Sequence, residues 1–122
     1  MRAFRILIVE DEPLIAWTLA EALEEVGFGV VGPVATAREG LAALAADPSI
    51  DGAILDGDLA DGPSVPVALA LRERGVPFVF HTGSGRPDIL SPLAPVFRKP
   101  CSLGDVLGGL AAAMGHAGGR AA

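Results

Sequence analysis

Five short apolar runs alternate along the chain with longer segments in which apolar residues recur at helical spacing. With their flanking residues, the runs are at positions 4–9, 29–34, 51–56, 76–80 and 96–98. Nearly continuous apolar runs are typical of strands in a parallel sheet that is covered on both faces. Strands that alternate with helices through right-handed crossovers predict an α/β fold. We therefore predict a doubly wound, flavodoxin-like sheet of five parallel strands in the order 2-1-3-4-5.

The segments between the runs predict helices with recognisable ends. Thr36 is expected to cap the second helix and Ser102 the last one, because a hydroxyl can accept a hydrogen bond from the free N–H groups of the first turn. Pro87 and Pro92 bracket the fourth helical segment. Because proline is excluded from helix interiors, we predict that helix 4 is short or irregular.

Composition limits the class of protein. The 122 residues suit one domain, which we place at 1–115, followed by a Gly-rich flexible tail at 116–122. The single cysteine, Cys101, excludes an internal disulfide and fits a reducing compartment, so the cytoplasm is the expected location. No apolar run is long enough to cross a bilayer, so no membrane insertion is expected. The net charge of −6, with no cluster of Lys and Arg, argues against direct binding of nucleic acid.

Polar residues stand at or directly after the ends of four predicted strands. They are Glu10, Asp11, Asp56, Thr82 and Lys99. Because the carboxyl ends of parallel strands meet at one edge of a sheet, we expect these side chains to converge. Three converging carboxylates repel one another unless a cation compensates, and Mg²⁺ prefers oxygen ligands. The sequence therefore predicts a magnesium site in which Asp11 and Asp56 are direct ligands and Glu10 lies beside them.

Asp56 is the predicted acceptor of a phosphoryl group. An Asp followed by Gly is usually a solvated loop residue, so Asp56 alone would not support this hypothesis. An aspartate can nevertheless form an aspartyl phosphate, and phosphoryl transfer depends on cations that stabilise the transferred oxygens. Lys99 is the only lysine in a chain that otherwise uses arginine, which favours a specific role as the second cation. Thr82 offers a hydroxyl donor, and Gly83 leaves room for a phosphate.

The sequence resembles the receiver domains of two-component response regulators over essentially its full length. The matching motifs are at 6–13, 54–56, 82–83 and 99–100, in the order and at the spacing of receivers. The resemblance implies a metal-binding acidic pocket from Glu10 and Asp11, phosphorylation at Asp56, a Mg²⁺ ligand from the Asp58 main-chain carbonyl, a switch hydroxyl on Thr82, a counter-ion on Lys99 and a cis Lys99–Pro100 bond. It also implies a histidine kinase or a histidine phosphotransfer protein as phosphoryl donor, and an unknown downstream protein as partner.

A closer resemblance is to stand-alone, single-domain receivers whose fourth strand reads Pro-Phe-x-Phe-Ala-Thr-Gly-Tyr. Segment 77–84 departs from that pattern at His81 and Ser84. Val96 stands where many receivers carry an aromatic switch residue, and the chain has no tyrosine, so the usual coupling of threonine to an aromatic ring is not expected. His81 is either a packing residue or a general base. The Asp58 carboxylate either tunes the lifetime of the phosphoryl group or points to solvent.

Three alternative interpretations stay open at this point. The chain could be a receiver-like interaction module that is never phosphorylated, although its complete set of acids and lysine argues against this. Asp56-Gly57-Asp58 also imitates the nucleophile motif of haloacid-dehalogenase-like phosphatases, but that motif normally follows the first strand and here it follows the third. The chain could be a fragment of a longer regulator. We favour a signalling protein that promotes only its own phosphotransfer and dephosphorylation, not an enzyme.

Overall fold

The computed structural model describes residues 3–83 and 87–121. Its principal strands are β1 (Arg5–Val9), β2 (Gly29–Val34), β3 (Gly52–Leu55), β6 (Phe78–Thr82) and β7 (Val96–Arg98). Two very short strands between β3 and β6, β4 (Asp58–Leu59) and β5 (Gly62–Pro63), form a separate hairpin. They form one parallel sheet in the order β2-β1-β3-β6-β7, which corresponds to 2-1-3-4-5 for these five strands. The predicted doubly wound α/β fold is therefore confirmed, with its crevice expected where the order reverses, beyond β1 and β3.

Within the described residues, four helices connect strands of the sheet and a fifth follows the last strand. They are α1 (Pro13–Glu25), α2 (Ala37–Ala46), α3 (Val65–Glu73), α4 (Pro87–Leu90) and α5 (Leu103–Ala121). Both predicted caps are present, because Thr36 Oγ1 accepts a hydrogen bond from Glu39 N–H and Ser102 Oγ accepts one from Asp105 N–H, each at 3.0 Å. The predicted short fourth helix is confirmed as a single turn. None of the helices in the described ranges is both long and apolar enough to cross a membrane.

The last helix, α5, continues to Ala121. The domain boundary at position 115 stays a prediction. Ala122 lies outside the described residues. The flexibility of segment 116–122 stays a prediction.

Two apolar layers cover the sheet, one on each face. Because successive side chains of a strand point to opposite faces, Leu7 and Leu55 pack towards α2 and α3, whereas Ile8 and Ile54 pack towards α1 and α5. All four side chains are at most 1% exposed. This rigid double layer holds the carboxyl ends of β1, β3 and β6 at one edge, where the candidate site lies.

A small hairpin follows β3. The apolar pattern predicts no strand between the third and fourth runs, but β4 (Asp58–Leu59) and β5 (Gly62–Pro63) pair there as antiparallel strands. Asp61, between them, accepts hydrogen bonds from the N–H groups of Ala37 and Arg38, at 2.8 and 3.1 Å, at the first turn of α2. The segment after Asp56 is therefore anchored to the first turn of α2.

Two adjacent glycines of α5 provide a test of how this helix packs on the sheet. A β-carbon on Gly109 would overlap the ring of Phe97 in β7, whereas one on Gly108 would meet no atom within 4 Å. Gly109→Ala should lower the free energy of unfolding by about 1–3 kcal/mol, because the ring must leave its position. Gly108→Ala should raise it by about 0.5–1 kcal/mol through helix propensity alone. Urea unfolding of both variants measures the difference, and equal stabilisation would contradict the packing of Phe97 against α5.

Candidate functional site

A row of side chains crosses the sheet at its carboxyl edge. The register of β1, β3 and β6 puts Glu10 level with Asp56 and Asp56 level with His81, and His81 is paired directly with Phe97 of β7. Asp56 N–H continues the ladder by donating to the Val9 carbonyl at 2.8 Å. The apolar layer under α1 and α5 contains the residues two positions before Glu10, Asp56 and His81, which are Ile8, Ile54 and Val79. Since side chains two residues apart share a face, the row lies on that face.

Three carboxylates come together at this edge as predicted. Glu10, Asp11 and Asp56 each offer an oxygen within 4.8 Å of the other two. Glu10 and Asp56 are buried, and Asp11 is partly exposed. Glu10 Oε1 is buried, and it forms an ion pair with Lys99 at 2.9 Å. A cluster of three hard oxygen donors, two of them buried, has the chemistry that fits a divalent cation such as Mg²⁺.

Lys99 supplies a positive charge to this acidic cluster. Its Nζ lies 3.3 Å from Asp56 Oδ2, 2.9 Å from Glu10 Oε1 and 2.7 Å from Glu12 Oε2, and the side chain is only 13% exposed. Burial by itself lowers the pKa of the ammonium, but the contacts with Glu12, Glu10 and Asp56 outweigh it and hold that pKa above its ordinary value. Lys99 is therefore charged at neutral pH. The Lys99–Pro100 peptide bond is cis, as the resemblance implied.

Glu10 has the most perturbed environment of the three acids. The pKa of its carboxyl is raised from 4.5 to about 7, first by burial and then by the neighbouring Asp56, whereas Lys99 and the Glu12 N–H act in the opposite direction. That N–H donates to Glu10 Oε2 at 3.2 Å. The crowding of carboxylates expected from the sequence is therefore present, and together with burial it brings the pKa of Glu10 close to neutral pH.

Asp58 and Thr82 flank Asp56 in different ways. Asp58 N–H donates to Asp56 Oδ1 at 3.3 Å, and the exposed Asp58 side chain reaches the same cavity as Asp56. Thr82 is buried at the end of β6. A β-carbon on Gly57 would lie 3.0 Å from Thr82 Oγ1 and 2.8 Å from Leu90 Cδ1, so only glycine lets this loop lie so close to both. Thr82 thus packs beside the loop that follows Asp56. The ligand role of the Asp58 carbonyl stays a prediction.

A cavity of about 790 Å³ opens over the acids and continues between α1 and the start of α5. Its lining includes the polar residues Asp56 and Lys99 and the apolar residues Ile15 of α1 and Leu103 of α5. His81 also lines it, although its side chain is only 4% exposed, and its Nδ1 has no hydrogen-bond partner among the described residues. Burial, followed by the charge of Lys99, lowers the pKa of the imidazole, so His81 is neutral at pH 7.

Glu12 is the site residue that sequence reasoning missed. It makes the shortest of the three contacts to Lys99, yet it was given no role beyond ending the first strand. The available signal was its place as third acid in the run Glu10-Asp11-Glu12. What the sequence could not provide was the path of the chain into α1, which turns this side chain back towards Lys99.

Comparison with known proteins identifies the family through solved structures. No protein-family model matches the chain, and a search of curated proteins gives no match. SdrG from Sphingomonas melonis Fr1 is 42% identical, with a TM-score of 0.76, over 92% of this chain and 96% of SdrG. The non-phosphorylated HemR receiver domain from Leptospira biflexa is 30% identical, with a TM-score of 0.76, over 91% of this chain and 94% of HemR.

A CheY-like response regulator receiver domain protein from Methanospirillum hungatei JF-1 is 25% identical, with a TM-score of 0.86, over 97% of this chain and 98% of its own. The proteins from Leptospira biflexa and Methanospirillum hungatei are receiver domains, and all three neighbours are covered over almost their full length. The agreement in fold, together with identities of 30% and above, places the chain with them. The chain belongs to the receiver domains of response regulators.

Proposed function

We propose that this chain is a phosphoacceptor receiver, in which Asp56 takes a phosphoryl group from a phosphohistidine donor in the presence of Mg²⁺. The observation that carries the proposal is the environment of one carboxylate. Asp56 lies at the end of β3, opens into the large cavity, is contacted by Lys99 at 3.3 Å, and has two further carboxylate oxygens within 4.8 Å. This combination provides a nucleophile and its cations at one sheet edge.

The transfer step follows from the contacts of Asp56. A carboxylate oxygen attacks phosphorus, the bond between phosphorus and the donor's imidazole nitrogen breaks, and that nitrogen keeps the electron pair. Asp58 N–H on Oδ1 and Lys99 on Oδ2 hold the carboxylate in place. As the phosphoryl group binds, the Lys99 ammonium stabilises its oxygens. Mg²⁺ bound by Glu10, Asp11, Asp56 and the Asp58 carbonyl would add positive charge at the same oxygens.

The response to phosphorylation would begin at Thr82. In this proposal its hydroxyl turns from the Gly57 loop towards the phosphoryl group, and the segment 83–95 changes with it. Residues 84–86 of that segment, including Ser84, lie outside the described residues. Val96 is partly buried in β7 and offers no aromatic ring to couple to Thr82, so the switch would act through the loop and α4.

The donor is a histidine kinase or a histidine phosphotransfer protein, and we propose that it docks on α1. Leu14 and Trp17 are exposed on this helix, at 71% and 60%, and Ile15 lines the cavity that leads to Asp56. Exposed apolar residues around a charged pocket suit a protein partner. The compartment would be the cytoplasm. The downstream partner is a protein of unknown identity, and no direct contact with nucleic acid is proposed.

SdrG supports this function by analogy. It has been solved in a BeF3-activated conformation, and that structure is 42% identical over 93% of this chain, with a TM-score of 0.71. We propose that the present site also responds to a phosphoryl group or its mimic. Whether the chain is of the stand-alone type stays a prediction.

Acetyl phosphate provides the test. The wild-type chain, incubated with acetyl phosphate and Mg²⁺, should gain the mass of one phosphoryl group in intact-mass spectrometry, and Asp56→Asn should gain none. Asp58→Asn is the matched control, because the proposed ligand at that position is a main-chain carbonyl, so uptake should persist. A changed dephosphorylation rate in Asp58→Asn would assign its carboxylate the tuning role, and an unchanged rate would leave it in solvent.

Two outcomes would contradict the proposal. If folded wild-type protein gains no mass, the chain acts as an unphosphorylated interaction module. Repeated turnover of p-nitrophenyl phosphate would instead favour a phosphatase.

A further inference from the structure

The shortest contact of Lys99 is with Glu12, which is not one of the three clustered acids. Glu12 Oε2 lies 2.7 Å from Lys99 Nζ, compared with 3.3 Å for Asp56 Oδ2. The three grouped carboxylates are those of Glu10, Asp11 and Asp56, and Glu12 is not among them. Its contact with Lys99 is therefore not explained by metal binding.

The backbone of Glu12 is fixed, but its side chain is exposed. Its carbonyl accepts a hydrogen bond from Ala16 N–H at 2.9 Å at the start of α1, and its N–H donates to Glu10 Oε2 at 3.2 Å. Beyond this anchored backbone, the side chain is 58% exposed, and among the described residues only Lys99 donates a hydrogen bond to its carboxylate. The carboxylate can thus leave Lys99 without disturbing the helix.

The three partners of Lys99 differ in exposure. The side chains of Glu10 and Asp56 are buried, whereas that of Glu12 is 58% exposed. Glu12, Asp56 and Lys99 all line the cavity, so Glu12 is the exposed partner of Lys99 at this opening. A phosphoryl group on Asp56 must extend into this same cavity, because the rest of the Asp56 side chain is enclosed. An ammonium has three N–H donors, and three carboxylates already lie within 3.3 Å of it.

We propose that Glu12 is a positioning residue that competes with the phosphoryl group for Lys99. In the unphosphorylated chain its exposed carboxylate pairs with the ammonium, and a phosphoryl group on Asp56 must displace it. Glu12 thereby lowers the affinity of the site for a phosphoryl group and shortens the time that the group stays. This inference rests on the proposed function, because it concerns the same acceptor.

Two substitutions at Glu12 separate the effect of its charge from the effect of its contact with Lys99. Glu12→Gln keeps the length of the side chain but removes the charge that holds Lys99. Glu12→Asp keeps the charge but shortens the side chain by one methylene, which withdraws the carboxylate from Lys99. Glu21→Gln, at an exposed position of the same helix, removes an equal charge away from the site and is the matched control.

The probe is beryllium fluoride, a phosphoryl mimic, titrated calorimetrically into the full chain at saturating Mg²⁺. Glu12→Gln should bind it about three- to tenfold more tightly than wild type, and Glu12→Asp should show part of this gain. Glu21→Gln should bind like wild type. The aspartyl phosphate formed with acetyl phosphate should also decay more slowly in Glu12→Gln.

Several results would overturn the inference. Unchanged or weaker binding by Glu12→Gln, while wild type binds the mimic, would remove Glu12 as a competitor and leave the proposed function intact. Equal gains in Glu12→Gln and Glu21→Gln would assign the effect to overall charge. If wild type neither binds beryllium fluoride nor gains mass with acetyl phosphate, the proposed function fails and this inference fails with it.

Discussion

Lys99→Ala is expected to slow the phosphorylation of Asp56 by acetyl phosphate about 100-fold or more, because the ammonium is the chain's own cation at the reacting oxygens. It lies 3.3 Å from Asp56 Oδ2, and the other cationic side chains of the described residues make no comparable contact with this carboxylate. The rate is measured as initial mass gain under saturating Mg²⁺. Arg98→Ala, which removes an exposed cation from the adjacent position, should leave the rate within about twofold of wild type.

The same variant should bind Mg²⁺ more tightly than wild type. The Lys99 ammonium lies 2.9 Å from Glu10 and 3.3 Å from Asp56, so it competes with a metal ion for their negative charge. Calorimetric titration with Mg²⁺ gives the affinity independently of phosphorylation. Weaker Mg²⁺ binding in Lys99→Ala, or a phosphorylation rate equal to that of wild type, would contradict the role assigned to this lysine.

The second large effect is a pH dependence of stability that comes from Glu10. The pKa of this carboxyl is raised from 4.5 to about 7 in the folded chain, chiefly by burial and then by Asp56. The folded state therefore binds the proton more tightly than the unfolded state does. The stability contributed by this proton is complete below about pH 4.5 and is lost as the pH rises through about 7. The loss amounts to about 2–3 kcal/mol between pH 5 and pH 8.

Glu10→Gln isolates this contribution, because the amide keeps the size of the side chain and does not titrate. The free energy of unfolding is measured by urea denaturation, in EDTA, for both proteins across this pH range. His81 acts in the opposite direction, since its lowered pKa favours the folded state as the pH rises, but it is present in both proteins and cancels. The advantage of wild type over Glu10→Gln should therefore shrink with rising pH. A difference that is independent of pH would contradict the protonated Glu10.

The architecture and most of the site could be predicted from strand ends alone. Parallel strands bring their carboxyl ends to one edge, so locating the ends of β1, β3 and β7 was sufficient to place Glu10, Asp56 and Lys99 together. The periodicity of the apolar residues located those ends. The prediction succeeded because the register of a buried sheet is strongly determined by which residues it buries.

Other features depend on contacts between segments far apart in sequence. The bond from Asp61 to the first turn of α2 and the contact of Glu12 with Lys99 join residues 24 and 87 positions apart. An exposed acid in a loop has no periodicity that points to its partner. The hairpin of β4 and β5 has two residues in each strand, too few for an alternating pattern to appear. Such features are set by how loops lie on the finished sheet.

The most direct test of the account is to locate the phosphoryl group on the chain. Protein treated with acetyl phosphate and Mg²⁺ is reduced with borohydride, which converts an acyl phosphate to an alcohol at the modified residue, and is then mapped by tandem mass spectrometry. We expect the reduction at Asp56, and none in protein kept in EDTA. Reduction at Asp11 or Asp58 in place of Asp56, or no reduction in the folded chain, would contradict the claim that Asp56 is the phosphoryl acceptor.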